Sequence, residues 1–116
     1  MKTTKCANLY AINDLRYEDM AFPMCGEDEV LLQVKSCGIC GSDLPRVYSK
    51  GTYHFPTVIG HEFSGKVVCD PRGEFTEKNV VVFPLLPCFR CKSCAEGSYA
   101  TCESYDYYGS RRDGGM

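Results

Sequence analysis

Four cysteines in one short stretch constrain this chain more than any other feature. Their gaps are two, two and seven residues: Cys88, Cys91, Cys94 and Cys102. Two-residue gaps let a tight turn aim successive sulfurs at one point, and the longer gap lets the loop close around an ion. Four thiolates leave zinc no open coordination position, so such a site stabilises a fold and does no chemistry. Residues 87–103 therefore predict a closed structural zinc loop.

Two alternatives for the same cysteines stay open. Bacterial ferredoxins also begin with three cysteines at two-residue gaps, but their next gap is three residues and a proline follows the fourth cysteine. Here Glu103 follows the fourth cysteine. Disulfides are disfavoured because neighbouring thiols in one small loop pair poorly, and because nine cysteines are an odd number. A brown protein would identify an iron–sulfur cluster.

Length and composition bound the compartment and the partners. A chain of 116 residues supports one domain. Its net charge is −2 and it has no long run of Lys or Arg, which argues against nucleic acid as a partner. The N-terminus lacks a signal-peptide pattern, and the longest apolar run, Val80 to Leu86, is too short to cross a bilayer. We expect a soluble, cytoplasmic protein without membrane contact.

Short apolar stretches separated by turn signals predict a mainly β fold. A hairpin is expected around Asn13-Asp14, a turn over 70–73, and strands over 29–36, 63–69 and 79–86. In the first strand, Val30 and Val34 fall on one face, as expected of the buried face of a half-buried strand. Ser42-Asp43 is predicted to cap one short helix that runs to Tyr48. Together they indicate a partly open β-barrel. The chain stops at residues 114–116 with no closing strand, so we expect a truncated piece of a longer protein. An unpaired barrel edge would favour homo-oligomers.

A second group of metal-ligating residue types lies in mid-chain. Cys40, His61 and Glu62 offer a thiolate, an imidazole and a carboxylate, which can hold zinc and leave room for water or substrate. The glycine just before His61 permits close approach of the backbone to a ligand. Taken singly, such a cysteine is more often buried filler and such a histidine a structural residue. The pattern alone leaves both interpretations open.

Three motifs, in this order, resemble a known family. Gly38-Ile39-Cys40-Gly41-Ser42-Asp43, Gly60-His61-Glu62-Phe63-Ser64-Gly65 and the four-cysteine loop are similar to the zinc-dependent medium-chain alcohol/polyol dehydrogenases. Segments 41–46, 84–89 and 107–115 resemble most its galactitol-1-phosphate and related polyol (sorbitol-type) members. The resemblance implies that residues 1–116 form an incomplete GroES-like β-barrel catalytic domain. In the family this domain is completed by a Rossmann domain that binds NAD(P).

The resemblance also implies roles for individual residues. Cys40 and His61 match catalytic zinc ligands, and Glu62 matches a carboxylate that ligates directly or through water. Ser42 matches the hydroxyl that passes on the substrate proton, and Asp43 the acceptor that orients the ligand histidine. The implied reaction is oxidation of a secondary alcohol of a polyol or polyol phosphate to a ketone, with hydride transfer to NAD(P).

The chain departs from the family pattern in ways that limit these expectations. Pro45 stands where many members have a histidine, so the proton must leave through water or another group. The family's remaining zinc ligand comes from a later segment, and no Gly-x-Gly occurs here. We therefore expect this chain alone to be inactive, to hold the catalytic zinc weakly and not to bind NAD(P). The alternatives are a stand-alone zinc-stapled structural or binding module and an iron–sulfur electron carrier.

Two further hypotheses concern other side chains. Arg46, Arg111 and Arg112 could grip a substrate phosphate, because guanidinium groups match phosphate oxygens; solvated surface arginines are the alternative. Cys37 and Cys40 are spaced as a Cys-x-x-Cys redox pair, but no βαβ pattern surrounds them. Cys37 is therefore predicted to be strand filler.

Overall fold

The computed structural model describes residues 2–116, and they form a mainly β chain. The strands are β1 (Thr3–Ala11), β2 (Asp14–Ala21), β3 (Leu31–Gly38), β4 (Thr57–Val58), β5 (Glu62–Cys69), β6 (Asn79–Val81), β7 (Leu85–Leu86) and β8 (Asp106–Tyr107). Two short helices, α1 (Asp43–Tyr48) and α2 (Lys92–Ala95), and a 3-10 turn (Tyr99–Thr101) complete it. The sheets are antiparallel, in the orders β2-β1-β4, β3-β5-β6 and β7-β8. Within residues 2–116, no helix combines the length and apolar character needed to cross a membrane.

The opening hairpin is confirmed, with its turn one residue earlier than predicted. β1 pairs with β2 from Thr3 opposite Ala21 to Ala11 opposite Asp14. Asn13 adopts a φ of 63°, a left-handed conformation that asparagine tolerates better than most residues. Asp14 consequently belongs to β2 and not to the turn. The hairpin places the fully buried Leu9 in the core with Val47 and Ile59.

Two strand predictions need correction. Val30 and Val34 were expected on a buried face, yet they are 42% and 39% exposed. Irregular pairing of β3 beside Val34 breaks the two-residue alternation on which that expectation rests. The predicted strand over 79–86 is two strands: β6 pairs with β5, and β7 pairs with β8. Pro84 lies between them, and it has no N–H to continue a ladder.

No closing strand was predicted for residues 114–116 and none forms there, yet backbone hydrogen bonds hold the segment in place. The backbone N–H of Gly114 donates to the carbonyl of Val58 at 2.7 Å, and that of Met116 donates to Ile59 at 3.0 Å. The carbonyl of Met116 in turn accepts from Ala7 in β1 at 2.9 Å. The segment is thus tied to β1, to Val58 at the end of β4 and to Ile59 after it. The Gly-Gly-Met sequence carries no strand pattern, and these hydrogen bonds are made by backbone atoms alone. The expected homo-oligomer stays a prediction.

Gly114 provides a test of this docking. A Cβ at position 114 would lie 2.0 Å from the carbonyl oxygen of Gly60, a backbone atom that cannot move aside cheaply. We expect Gly114→Ala to lower the free energy of unfolding by about 2 kcal/mol or more, in the range of core overpacking. Denaturant unfolding of the zinc-loaded protein measures this change.

Gly41→Ala is the matched control, because a Cβ at position 41 meets nothing within 4 Å. We expect that variant to stay within about 0.5 kcal/mol of the parent. Equal stabilities for the two variants would show that the segment does not pack closely on Gly60.

Candidate metal centres and the adjoining cavity

The pairing of β3 with β5 brings the mid-chain group together. Gly38, the last residue of β3, lies opposite Glu62, the first residue of β5. Cys40 follows β3 and His61 precedes β5, so the strand register carries both side chains to the same edge. One ligand atom from each of Cys40, His61 and Glu62 lies within 4.8 Å of the others. His61 is buried, Cys40 half-buried and Glu62 exposed, an arrangement that could hold a metal ion on a face open to solvent.

Asp43 lies next to both Cys40 and His61 and holds this pair of residues in position. Its side chain is buried, and Oδ2 accepts the backbone N–H of Cys40 at 2.9 Å. Oδ1 lies 3.5 Å from Nδ1 of His61, too long for a well-formed hydrogen bond, and Nδ1 is buried without a hydrogen-bond partner. A ring nitrogen that faces a carboxylate leaves Nε2 for a metal, which is the usual arrangement of a ligand histidine. The donor set therefore fits a zinc ion.

Ser42 is positioned to act on a bound molecule. It is the N-cap residue of α1, but its side chain makes no capping hydrogen bond, contrary to the predicted capping role. Ser42 lines a cavity of about 410 Å³. The carboxylate of Asp43 contacts Cys40 and Arg46 instead of the cavity. Of the two polar residues that start α1, Ser42 is therefore the one that can contact a ligand directly.

The cavity adjoins the Cys40–His61–Glu62 group through an aromatic wall that the sequence did not predict. Tyr107 lines the cavity, and its ring centroid is 5.6 Å from that of His61. Burial raises the pKa of Tyr107, so its phenol stays protonated and can donate a hydrogen bond. Tyr53 and Tyr105 line the same space. The tyrosine-rich run after the cysteine loop was the available signal, although spacing alone assigns it no partner.

The four-cysteine loop has the geometry of a site for a single ion. Its sulfurs all lie within 4.8 Å of one another, and Sγ of Cys88 is 3.9 Å from Sγ of Cys94. Two sulfurs held at about 2.3 Å from one tetrahedral zinc ion would be about 3.8 Å apart. A disulfide requires about 2.05 Å. The spacing fits one ion better than a disulfide or a multi-iron cluster.

Hydrogen bonds prepare these sulfurs for a cation. The backbone N–H groups of Arg90 and Cys91 donate to Sγ of Cys88 and lower the pKa of that thiol to about 6. Burial raises the pKa of Cys94 to about 12, because a charged thiolate is unfavourable in a site shielded from water unless a cation is bound. A bound metal would remove this conflict by replacing the protons. This donor set also fits zinc.

The fold and the two metal-ligating groups define the class of zinc-type medium-chain alcohol dehydrogenases. Residues 26–116 match the model of the alcohol dehydrogenase GroES-like domain. The chain belongs to this family. The resemblance inferred from the sequence motifs and the predicted GroES-like β fold are both confirmed.

The chain is similar to several individual members of this family. Galactitol 1-phosphate 5-dehydrogenase of Escherichia coli is 46% identical over 95 residues, which cover 78% of this chain and 27% of the relative. The crystal structure of galactitol-1-phosphate dehydrogenase from E. coli superposes with a TM-score of 0.90 at 38% identity, over 97% of this chain and 34% of that one. A protein named short chain alcohol dehydrogenase from E. coli, solved with NADH, superposes with a TM-score of 0.89 at 31% identity. The superposition covers 97% of this chain and 34% of that one. The chain spans about a third or less of each.

Proposed function

We propose that this chain is the catalytic domain, here 1–116, of a zinc-dependent, NAD(P)-linked polyol or polyol-phosphate dehydrogenase. The observation that carries the proposal is the convergence of Cys40, His61 and Glu62 beside a cavity that Ser42 lines. The relatives named for galactitol 1-phosphate supply the substrate class, and the relative solved with NADH supports a nicotinamide cofactor. The proposed setting is the cytoplasm.

In this proposal, Cys40 and His61 hold the catalytic zinc, with Glu62 as a direct or water-mediated neighbour. Zinc, when bound, supplies Lewis-acid polarisation of the substrate hydroxyl, and NAD(P) accepts the hydride. Asp43 fixes the Cys40 loop through a hydrogen bond and faces the His61 ring, so both ligands keep their orientation. Ser42 relays the substrate proton: its hydroxyl oxygen takes that proton while its own hydroxyl proton passes to water. Water is the acceptor because Pro45 offers no side-chain base.

The second proposed zinc lies in the loop 87–103 and has a structural role. Cys88, Cys91, Cys94 and Cys102 form its closed ligand set, and no open position is left for substrate. Because β7 ends next to the loop and β8 follows it, a metal there ties the loop to the strands that border the cavity. Catalysis and stability would thus depend on different ions.

A turnover assay tests this function. The protein would be expressed with all coding sequence that its gene places after Met116, loaded with zinc, and given galactitol 1-phosphate, galactitol or sorbitol with NAD or NADP. We expect at least one of these polyols to be oxidised with formation of the reduced nicotinamide. One molecule of ketone should form for each hydride transferred. A zinc-loaded protein that turns over none of them with either cofactor would contradict the proposal and favour a stand-alone module.

A further inference from the structure

Arg46 is the arginine that lines the cavity beside the proposed catalytic group. The cavity of about 410 Å³ is bordered by Arg46 together with hydroxyl, phenol and apolar side chains, and no Asp or Glu lines it. A neighbouring cavity of about 320 Å³ shares Ser42, Arg46 and Tyr53 with it and adds Lys50. Within residues 2–116, the positive charge at the junction of the two cavities therefore faces no lining carboxylate.

Arg46 is also held in a fixed place by a buried ion pair. Its Nη1 donates to Oδ1 of Asp43 at 2.8 Å, and the two side chains are only 16% and 3% exposed. A guanidinium carries five N–H donors in a rigid fork, and this pair uses one nitrogen. The remaining donors have no other side-chain or backbone acceptor among residues 2–116. They are available to an anion in the cavity at little cost in side-chain entropy, because Asp43 already orders the group.

The other two arginines considered for phosphate binding contact other groups and lie outside the cavities, although Nε of Arg111 is buried without a hydrogen-bond partner. Nε of Arg112 donates to Asp106 at 2.7 Å. The Arg111 guanidinium carbon lies 4.5 Å and 4.1 Å from the ring centroids of Tyr53 and Tyr105. Neither arginine lines either cavity. The Arg111 guanidinium, which lies over the Tyr53 ring, lowers the pKa of that phenol.

We propose that Arg46 is the specificity residue of this site and binds the phosphate monoester of a polyol phosphate through its free N–H donors. This inference rests on the proposed function and deepens it. Because the same guanidinium holds Asp43, which faces His61, a bound phosphate would steady the arginine that supports the ligand set. Arg46 thus binds the phosphate end of the substrate, and the Cys40–His61–Glu62 group lies at the end with the reacting hydroxyl.

The measurement compares galactitol 1-phosphate with galactitol in the zinc-loaded enzyme that contains this domain. For Arg46→Ala we expect the ratio of kcat/KM for the phosphorylated over the unphosphorylated substrate to fall about 10- to 100-fold, as expected for loss of a charge-assisted hydrogen bond. The loss should lie mainly in KM for galactitol 1-phosphate. Arg46→Lys keeps the charge but not the fork, so the ratio should fall less.

Arg72→Ala is the matched control, because Arg72 also pairs with an aspartate, Asp28, but on an exposed turn outside both cavities. It should leave the ratio unchanged. An unchanged ratio in Arg46→Ala, or an equal loss on both substrates seen in kcat, would overturn phosphate recognition and leave Arg46 only a positioning role through Asp43. Zinc content, measured on each variant, shows whether the ligand set is intact.

A calorimetric titration with galactitol 1-phosphate separates this inference from the proposed function. If the parent protein shows no dehydrogenase activity, the proposed function fails, but binding still tests Arg46. Binding by the parent that weakens about 10-fold or more in Arg46→Ala supports the inference. Absence of binding by the parent, or equal binding by both proteins, would overturn it.

Discussion

The Cys40→Ser variant should lose at least about 1000-fold in kcat/KM while keeping the fold. Cys40 offers one of three candidate ligand atoms that lie within 4.8 Å of one another. A hydroxyl is a much poorer zinc ligand than a thiolate. Loss of Lewis-acid assistance removes several kcal/mol of transition-state stabilisation, and about 4 kcal/mol equals 1000-fold in rate. Steady-state kinetics and zinc analysis of the complete enzyme measure both effects. One zinc per chain, that of the cysteine loop, should remain.

Cys37→Ser is the matched control for this experiment. Cys37 lies three residues before Cys40, is half-buried and contributes no atom to the ligand group. Burial raises the pKa of its thiol, which makes it a poor nucleophile. We expect near-parental activity and two zinc ions per chain. If Cys37→Ser were as inactive as Cys40→Ser, a redox pair of the two thiols would replace the zinc proposal.

Loss of a ligand from the cysteine loop should have the largest effect on stability. Sγ of Cys94 lies 3.9 Å from Sγ of Cys88, and the Cys94 residue is only 6% exposed. We expect Cys94→Ser to release the loop zinc and to lower the free energy of unfolding by roughly 3 kcal/mol or more. That is part of the about 10–16 kcal/mol with which structural zinc sites bind their metal. Denaturant unfolding with metal analysis gives both quantities.

Cys69→Ser controls for loss of a thiol outside the loop, because Cys69 is half-buried at the end of β5. It should keep the full zinc content and most of the stability. Iron with visible colour in the parent protein would show that the loop holds an iron–sulfur cluster. Parental stability in Cys94→Ser, with the metal retained, would show that the loop is not a closed four-cysteine site.

Local features of the fold could be read directly from the chain. The hairpin at Asn13, the helix after Ser42 and the turn closed by Gly73, whose N–H donates to Asp70 at 3.1 Å, all depend on neighbouring residues. Such elements follow from backbone preferences that act over a few residues. The strand over 79–86 was misjudged because its apolar run conceals a change of sheet at Pro84. Pairing partners, unlike propensities, lie far away in the sequence.

The sequence by itself determined the cysteine loop, since ligands separated by two residues need only one turn to share an ion. It also determined the family, through three motifs in a fixed order. Only the tertiary structure decided the pairing of β3 with β5. This pairing places Gly38 opposite Glu62 and brings Cys40 close to His61. It also decided that Arg46 lines the cavity while Arg111 and Arg112 do not. Backbone hydrogen bonds that hold residues 114–116 to β1 and Ile59 were likewise visible only there. The physical reason is that strand register and cavity walls depend on the packing of the whole chain, which no short stretch encodes.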